Sequence, residues 1–257
     1  MTLDIFMFPC LSDNYGVLVH DPLSGRTAAI DVPDAAAVLD ALDRKGWRLT
    51  DILTTHHHAD HVQGNLEVKA ATGCTITGPA GEAGKIPGID VEVREGDEID
   101  FAGHPIRVIE TPGHTLGHIA YHFPMDDVAF VGDTLFALGC GRVFEGSMEQ
   151  MWNSVEKIGR LPGETKLYVG HEYTQSNWRF AITVDPSNAA LASRGEVIAT
   201  LRAEGRPTLP TTVEIERATN PYLRADTPAL RAWAGLPDAP AFEVFAAIRR
   251  AKDNFKG

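Results

Sequence analysis

The chain has 257 residues, of which 23 are Lys or Arg and 35 are Asp or Glu, so its formal net charge is −12. This excess of negative charge argues against a nucleic-acid or anionic-membrane partner. No apolar run approaches the roughly 20 residues of a membrane span, and the first residues lack the pattern of a secretory signal. Three widely spaced cysteines (Cys10, Cys74 and Cys140) form no CxxC pair. We therefore expect a cytoplasmic protein with a large buried core.

Short strands alternate with helices over the first two thirds of the chain. Apolar or alternating runs bounded by turn residues predict strands; they are Asp4–Phe8, Gly16–His20, Thr27–Asp31, Asp51–Thr55, Cys74–Thr77, Val91–Arg94, Ile106–Glu110, Ile119–Phe123, Val128–Gly132 and Lys166–Val169. Helical spacing of apolar residues predicts helices at Asp34–Lys45, Val62–Thr72 and Met148–Gly159, the last capped by Ser147. This mixture is typical of a layered α/β domain.

The last third of the chain has a different character. Helical patterns dominate it, at Ser176–Ile182, Asn188–Glu204, Pro228–Ala234 and Ala241–Phe255, and strand signals nearly vanish. We place a boundary near residue 174, which predicts domains at 1–173 and 174–257, the second of them all-helical.

The stretch His56–His61, with the sequence HHHADH, is the most informative part of the chain. It follows a predicted strand, so His56 and His58 point to the same side and can bind one metal ion together. If a helix follows, Asp60 and His61 lie in its first turn and can bind a neighbouring ion. Imidazole and carboxylate ligands suit zinc, iron or manganese. The alternative is a solvated polar loop. A six-residue pattern with this many histidines rarely arises by chance, which disfavours that alternative.

Two complete metal shells need further ligands, and three other strand ends offer them. His114, Asp133 and His171 each lie beside a glycine directly after a predicted strand, where a sheet would hold them rigidly. Taken singly, each is more often a turn residue than a ligand. Together with the histidine stretch they form a consistent series.

These residues resemble the metallo-β-lactamase superfamily and, within it, glyoxalase II, the hydroxyacylglutathione hydrolases. The shared motifs span nearly the whole chain: THHHADH from Thr55, TPGHTLGH from Thr111, VGDTLF from Val131, GCGRVFEG from Gly139, GHEYT from Gly170, ERATNPYLR from Glu216 and RRAKDNF from Arg249. The first of them mark the superfamily alone, whereas GCGRVFEG, ERATNP and the final basic motif indicate the glutathione thioesterases.

The resemblance implies an αββα sandwich followed by a helical domain, with two divalent metal ions, zinc first and iron or manganese as alternatives. It assigns His56, His58 and His114 to one ion and Asp60, His61 and His171 to the other, with Asp133 bridging them. His57 is not a ligand in this pattern. Asp60 and Asp133 are the catalytic carboxylates, acting with a hydroxide shared by the two ions.

The implied substrate is S-(2-hydroxyacyl)glutathione, with S-D-lactoylglutathione as the family's example from methylglyoxal degradation. A thiolate leaves readily, so this site needs no separate strong acid. The resemblance places five side chains at the glutathione site: Arg142, Phe144, Tyr173, Arg249 and Lys252. Some members carry Tyr where this chain has Phe144, which removes a hydroxyl contact. Taken from the residues alone, Arg249 and Lys252 could equally be a solvated last helical turn. No partner other than this small molecule is expected, and we expect a monomer.

Three other functions remain open at this point. A glutathione persulfide dioxygenase on the same scaffold would use a single iron and consume oxygen, so a metal count distinguishes it. A β-lactamase would leave the basic C-terminal motif without a role, and its amide leaving group needs protonation. A non-catalytic metal-binding or glutathione-binding module would have little use for seven ligands.

Overall fold

The computed structural model describes residues 2–256, which cluster into two units. The first contains the chain up to Glu110 together with Thr115–Gly132. The second contains Thr111–His114 and the chain from Asp133 onward. The chain therefore changes unit beside His114 and beside Asp133.

One sheet of the first unit has six strands in the order β1-β2-β3-β4-β5-β6. The first three strands pair antiparallel and the remaining pairs are parallel. The strands are β1 (Asp4–Cys10), β2 (Asn14–His20), β3 (Thr27–Ile30), β4 (Asp51–Leu53), β5 (Thr75–Pro79) and β6 (Val91–Val93). All six correspond to predicted strands.

Helix α1 (Ala35–Lys45) begins at the predicted position, because the Asp34 side chain accepts a hydrogen bond from Ala37 N. It ends at Gly46, which has a left-handed conformation with φ +66°. The buried residues Val38 and Leu42 pack it against the sheet. Local capping and one apolar face together determine this helix.

The prediction of one continuous helix at Val62–Thr72 is wrong. The structure has two helices there, α2 (Ala59–Val62) and α3 (Asn65–Thr72). Gly64 separates them: its N–H donates to Val32 O, and a Cβ on it would lie 2.8 Å from Ala35 N. A tertiary contact therefore interrupts a pattern that is locally continuous.

Four further strands of the first unit form an antiparallel meander, with β8 pairing to both β7 and β9, and β9 to β10. They are β7 (Glu98–Phe101), β8 (His104–Glu110), β9 (Ile119–Phe123) and β10 (Val128–Phe130). The sequence did not predict β7. Tyr121 in β9 is fully buried, and its hydroxyl donates to Thr54 O at the end of β4. This bond joins the two groups of strands.

The second unit contains a short hairpin, one strand pair and mainly helices. The strands are β11 (Leu135–Phe136), β12 (Gly139–Cys140), β13 (Lys166–Tyr168) and β14 (Thr211–Thr212). The helices are α4 (Met148–Gly159), α5 (Thr174–Val184), α6 (Ala189–Ala203), α7 (Val213–Thr219), α8 (Pro228–Ala234) and α9 (Ala241–Asp253). Helix α4 has the predicted bounds, since the Ser147 and Gln150 side chains form a reciprocal capping box.

The helices predicted in the last third are present, and two elements there were missed. Helix α7 and the two-residue strand β14, which pairs with β13, were not predicted. Among residues 2–256, no helix has the length and apolar character needed to cross a membrane.

Candidate metal centre

His56 and His58 lie together in the first unit, as their alternation predicted. Strand β4 ends at Leu53, and residues 54–58 belong to neither a strand nor a helix before α2 begins. His56 is fully buried, and its Nε2 lies 3.2 Å from Nδ1 of His58. Two ring nitrogens this close can bind the same metal ion, each at its own coordination position.

Asp31, at the end of β3, orients His61. Its Oδ2 accepts a hydrogen bond from His61 Nδ1 at 2.8 Å, and its two oxygens also bind the Thr55 backbone N–H and hydroxyl at 2.7 and 2.8 Å. Potential ligand atoms of Asp31, His56 and His61 lie within 4.8 Å of one another. With the proton held on Nδ1, Nε2 of His61 is the nitrogen that can bind a metal ion.

The sequence analysis did not identify Asp31 as functional. It occupies the same position as the predicted ligands, directly after an apolar strand, and that was the available signal. Its backbone φ of +56° is uncommon for a non-glycine residue and occurs frequently at functional sites.

Glu82 explains the role of His57, which the resemblance excludes as a ligand. Oε2 of Glu82 accepts a hydrogen bond from the His57 backbone N–H at 2.8 Å and lies 2.9 Å from its Nδ1. Oε1 accepts a second hydrogen bond, from Gly117 N. Glu82 lies in a buried position of the 3-10 helix Ala80–Lys85. It therefore holds the ligand loop by His57, between His56 and His58.

Asp60 lies in the first turn of helix α2 and is partly exposed. Its carboxylate Oδ2 lies 3.8 Å from Nε2 of His61. The side-chain amide of Asn14 donates to that oxygen and to the Asp60 carbonyl, both at 3.1 Å. Asn14 thus fixes the direction of the carboxylate.

His114, Asp133 and His171 come together in the second unit. Oδ2 of Asp133 lies 3.3 Å from Nε2 of His114 and 3.4 Å from Nε2 of His171. Nδ1 of His114 donates to the Arg142 carbonyl at 2.8 Å, which directs Nε2 toward Asp133. One carboxylate oxygen is therefore placed between two imidazoles.

These distances fit a transition-metal ligand set. Zinc–nitrogen bonds of about 2.0–2.1 Å in a tetrahedral shell place two ligand atoms about 3.3 Å apart. The three separations given above, 3.2, 3.3 and 3.4 Å, match that spacing. All the donors are imidazole or carboxylate groups, the chemistry preferred by zinc, iron and manganese.

The five predicted substrate residues all belong to the second unit and differ in accessibility. Arg142 and Phe144 are exposed, and the Phe144 ring lies 5.3 Å from the ring of His114. Tyr173 stacks on His171 with ring centroids 4.7 Å apart. Arg249 is buried and donates to Cys140 O and to Asp253 Oδ1.

Lys252 combines a positive charge with an unusual environment. Its ammonium donates to Ser176 O and Oγ, each at 3.1 Å, and lies over the rings of Phe180 and Phe255. Partial burial, with the nearby charges of Arg249 and Arg142, lowers the pKa of Lys252 to about 8.

Comparison with known proteins gives a consistent result. The family model "Hydroxyacylglutathione hydrolase C-terminus" matches residues 172–255, and the model "Metallo-beta-lactamase superfamily" matches residues 12–171. The hydroxyacylglutathione hydrolase of Rhizobium meliloti (strain 1021) is 56% identical over 253 residues, 98% of this chain and 99% of the relative. The hydroxyacylglutathione hydrolase of Methylococcus capsulatus is 55% identical over 99% of this chain and 100% of the relative. The chain belongs to the hydroxyacylglutathione hydrolase family.

Solved structures agree on the fold of this hydroxyacylglutathione hydrolase family member. The crystal structure of ETHE1 from Myxococcus xanthus has a TM-score of 0.66 and 25% identity, covering 98% of this chain and 97% of that one. The predictions of the family, of a metallo-β-lactamase fold with a helical C-terminal part, and of a hydrolase are confirmed. Divalent metal binding is supported by the superfamily and the His/Asp clusters.

Cys140 is not suited to nucleophilic catalysis. It is buried, and burial raises the pKa of its thiol to about 11. A thiol with such a pKa is almost entirely protonated at neutral pH.

Proposed function

We propose that the protein hydrolyses S-(2-hydroxyacyl)glutathione thioesters, with S-D-lactoylglutathione as substrate and D-lactate and glutathione as products. This reaction would place it in methylglyoxal degradation. The observation that carries the proposal is the 55–56% identity to hydroxyacylglutathione hydrolases over nearly the whole chain, including the helical part. A likeness of the metal-binding part alone would leave the substrate open.

We propose that seven side chains hold two divalent ions: His56, His58 and His114 at one position, Asp60, His61 and His171 at the other, and Asp133 at both. The chain connectivity supports this set. His114 is the last residue of the second unit before the chain returns to the first, and Asp133 is the first residue after it leaves again. Zinc is the first candidate, with iron and manganese as alternatives.

The chemistry follows from that ligand set. When bound by these residues, two divalent ions would make a hydroxide available at neutral pH and would polarise the thioester carbonyl. The catalytic carboxylates are Asp133, placed between two imidazoles, and Asp60, fixed by Asn14. Asp31 Oδ2 and the Arg142 carbonyl hold the Nδ1 protons of His61 and His114, which keeps each Nε2 available. The thiol of glutathione leaves as a thiolate, so no side chain needs to act as a strong acid.

The glutathione moiety is a net anion, and the basic side chains of the second unit can balance it. We propose that Lys252 and Arg142 contact its carboxylates, while buried Arg249 contributes fixed positive charge through its bonds to Cys140 and Asp253. Tyr173 and Phe144, which lie beside His171 and His114, would contact the part of the substrate next to the thioester.

The same proposal assigns residues 1–173 to the metal-binding catalytic domain and residues 174–257 to the glutathione-binding domain. The first range holds all seven ligands, and the second holds Arg249 and Lys252. We propose a cytoplasmic location because all three cysteines are free thiols. We also propose that the protein is a monomer.

Asp133→Ala tests the function. Wild-type protein loaded with zinc should cleave S-D-lactoylglutathione, and the variant should lose at least a hundredfold in kcat/KM, because it lacks the shared ligand. Asp238→Ala, at an exposed position between α8 and α9, is the matched control and should keep the kcat/KM of the wild type. Metal analysis and an oxygen electrode should give two ions per chain and no oxygen uptake. A single iron with oxygen consumption would instead indicate the persulfide dioxygenase.

A further inference from the structure

Two buried polar side chains of the ERATNPYLR motif bind the turn between β11 and β12. Asn220 Nδ2 donates to Phe136 O at 3.1 Å and to Gly139 O at 3.0 Å. Oε2 of Glu216 accepts a hydrogen bond from Leu138 N at 2.8 Å. The Glu216 and Asn220 side chains therefore form hydrogen bonds with backbone atoms of the β11–β12 hairpin.

This turn depends on such partners. Ala137 and Leu138 are almost completely buried, so their backbone groups have no access to bulk water. Leu138 has φ +59°, in the left-handed region that a branched side chain rarely adopts. Asn177 Nδ2 completes the set by donating to Ala137 O at 3.1 Å. Contacts from outside the hairpin thus stabilise a conformation that its own sequence disfavours.

Glu216 is itself held in place from its other side. Its Oε1 accepts hydrogen bonds from Arg194 at 2.5 Å and from the Thr211 hydroxyl at 2.7 Å. The carboxylate is fully buried, and each of its oxygens has partners. A side chain fixed at both oxygens can set the position of the turn.

The hairpin connects two parts of the proposed metal centre. Asp133 precedes it and Arg142 follows it, and Gly141 N donates to Thr134 O between them. A Cβ on Gly141 would lie 2.0 Å from Asp133 O, so these segments are in close contact. The Arg142 carbonyl in turn accepts the Nδ1 proton of His114. A shift of the hairpin would therefore move Asp133 and His114 together.

We propose that Glu216 and Asn220 are positioning residues for the metal centre, which they control by fixing the turn at Ala137–Leu138. This inference rests on the proposed function, because it takes Asp133 and His114 as metal ligands. It gives the motif a role in metal binding without any contact to metal or substrate.

The test uses the full chain with Co(II) as probe. Apo-protein is titrated with Co(II) in competition with a chelator, and the absorption spectrum of the bound ion is recorded. Glu216→Gln and Asn220→Ala should weaken Co(II) binding at least tenfold and alter the spectrum, in the range seen when outer contacts of metal ligands are lost. With the zinc enzyme, kcat should fall while KM stays within twofold. Glu214→Gln, an exposed site on the same helix, is the matched control.

A purely structural role gives a different result. Folded variants with a lower Tm but wild-type Co(II) affinity and spectrum would overturn the proposal. If Asn220→Ala does not fold, Asn177→Ala, which removes a single bond to the turn, should show a smaller loss of affinity, and wild-type affinity there would also overturn it. The variants could bind Co(II) more weakly even though the wild type fails to cleave the thioester. That result would support the positioning role and refute the proposed substrate.

Discussion

Lys252 offers a test of substrate binding through pH. Its pKa of about 8, lowered by partial burial and by Arg249 and Arg142, means that the ammonium form predominates below pH 8 and is lost above it. If the charged form binds a glutathione carboxylate, binding should weaken as the pH rises through 8. An ordinary lysine, with a pKa near 10.4, would show no change in that range.

The size of the effect follows from the charged fraction. With a pKa of about 8, about nine tenths of Lys252 is protonated at pH 7 and about one tenth at pH 9, so the Kd should rise about tenfold between them. The assay is calorimetric titration with S-methylglutathione, which cannot be hydrolysed as a thioester. Because a bound carboxylate raises the pKa of an ammonium, binding at pH 8 should also take up a fraction of a proton. Buffers of different ionisation enthalpy detect that uptake.

Lys252→Arg is the control, since a guanidinium stays charged over the whole range. The ligand's own amino group titrates equally with both proteins, so the ratio of the two Kd values isolates Lys252. Parallel pH curves for wild type and Lys252→Arg, or an unchanged Kd for Lys252→Met at pH 7, would refute the assigned contact.

Three further predictions follow from other parts of the structure. Asp31→Asn should weaken Zn(II) binding 10–100-fold, because it loses the acceptor that orients His61; chelator competition measures this, and wild-type affinity would contradict it. Ser147→Ala should lower the free energy of unfolding by about 1 kcal/mol through loss of the α4 cap, with kcat unchanged; urea unfolding checks it, and an unchanged midpoint would contradict it. Gly141→Ala should severely reduce the yield of folded protein, because the added Cβ would lie 2.0 Å from the Asp133 carbonyl oxygen. The control Gly163→Ala, whose Cβ would make an ordinary 3.4 Å contact, should be tolerated. Similar thermal unfolding of the two variants would contradict this prediction.

Elements with complete local signals were predictable from the sequence. Helix α4 has a capping box and an apolar stripe, and four of the five residues of strand β9 are aliphatic or aromatic, so both have the predicted bounds. Helix α7 was missed for a physical reason. Its buried positions include Glu216 and Thr219 beside Val213, so hydrophobic periodicity does not reveal it.

The residues of the candidate site also differ in whether the local sequence identifies them. The dense histidine stretch is detectable because four of the proposed metal ligands lie within six residues of one another in the sequence. Asp31 and Glu82 are single carboxylates that lie 24 and 25 residues from the Thr55 and His57 backbone N–H groups that they bind. The sequence beside them does not reveal which groups they hold. Contacts between residues far apart in the sequence can be recognised only once the three-dimensional structure is known.

The burial of Glu216 needs an explanation beyond stability. Taking a carboxylate out of water costs free energy that a partner such as Arg194 offsets only in part, so an apolar replacement of the pair is often neutral or stabilising. Such a replacement would, however, leave the Leu138 N–H buried without an acceptor and the turn without its support. Glu216 therefore contributes to the choice of one backbone conformation for the hairpin. This is the property that a segment carrying a proposed metal ligand at one end requires, because ligand geometry tolerates errors of only a few tenths of an ångström.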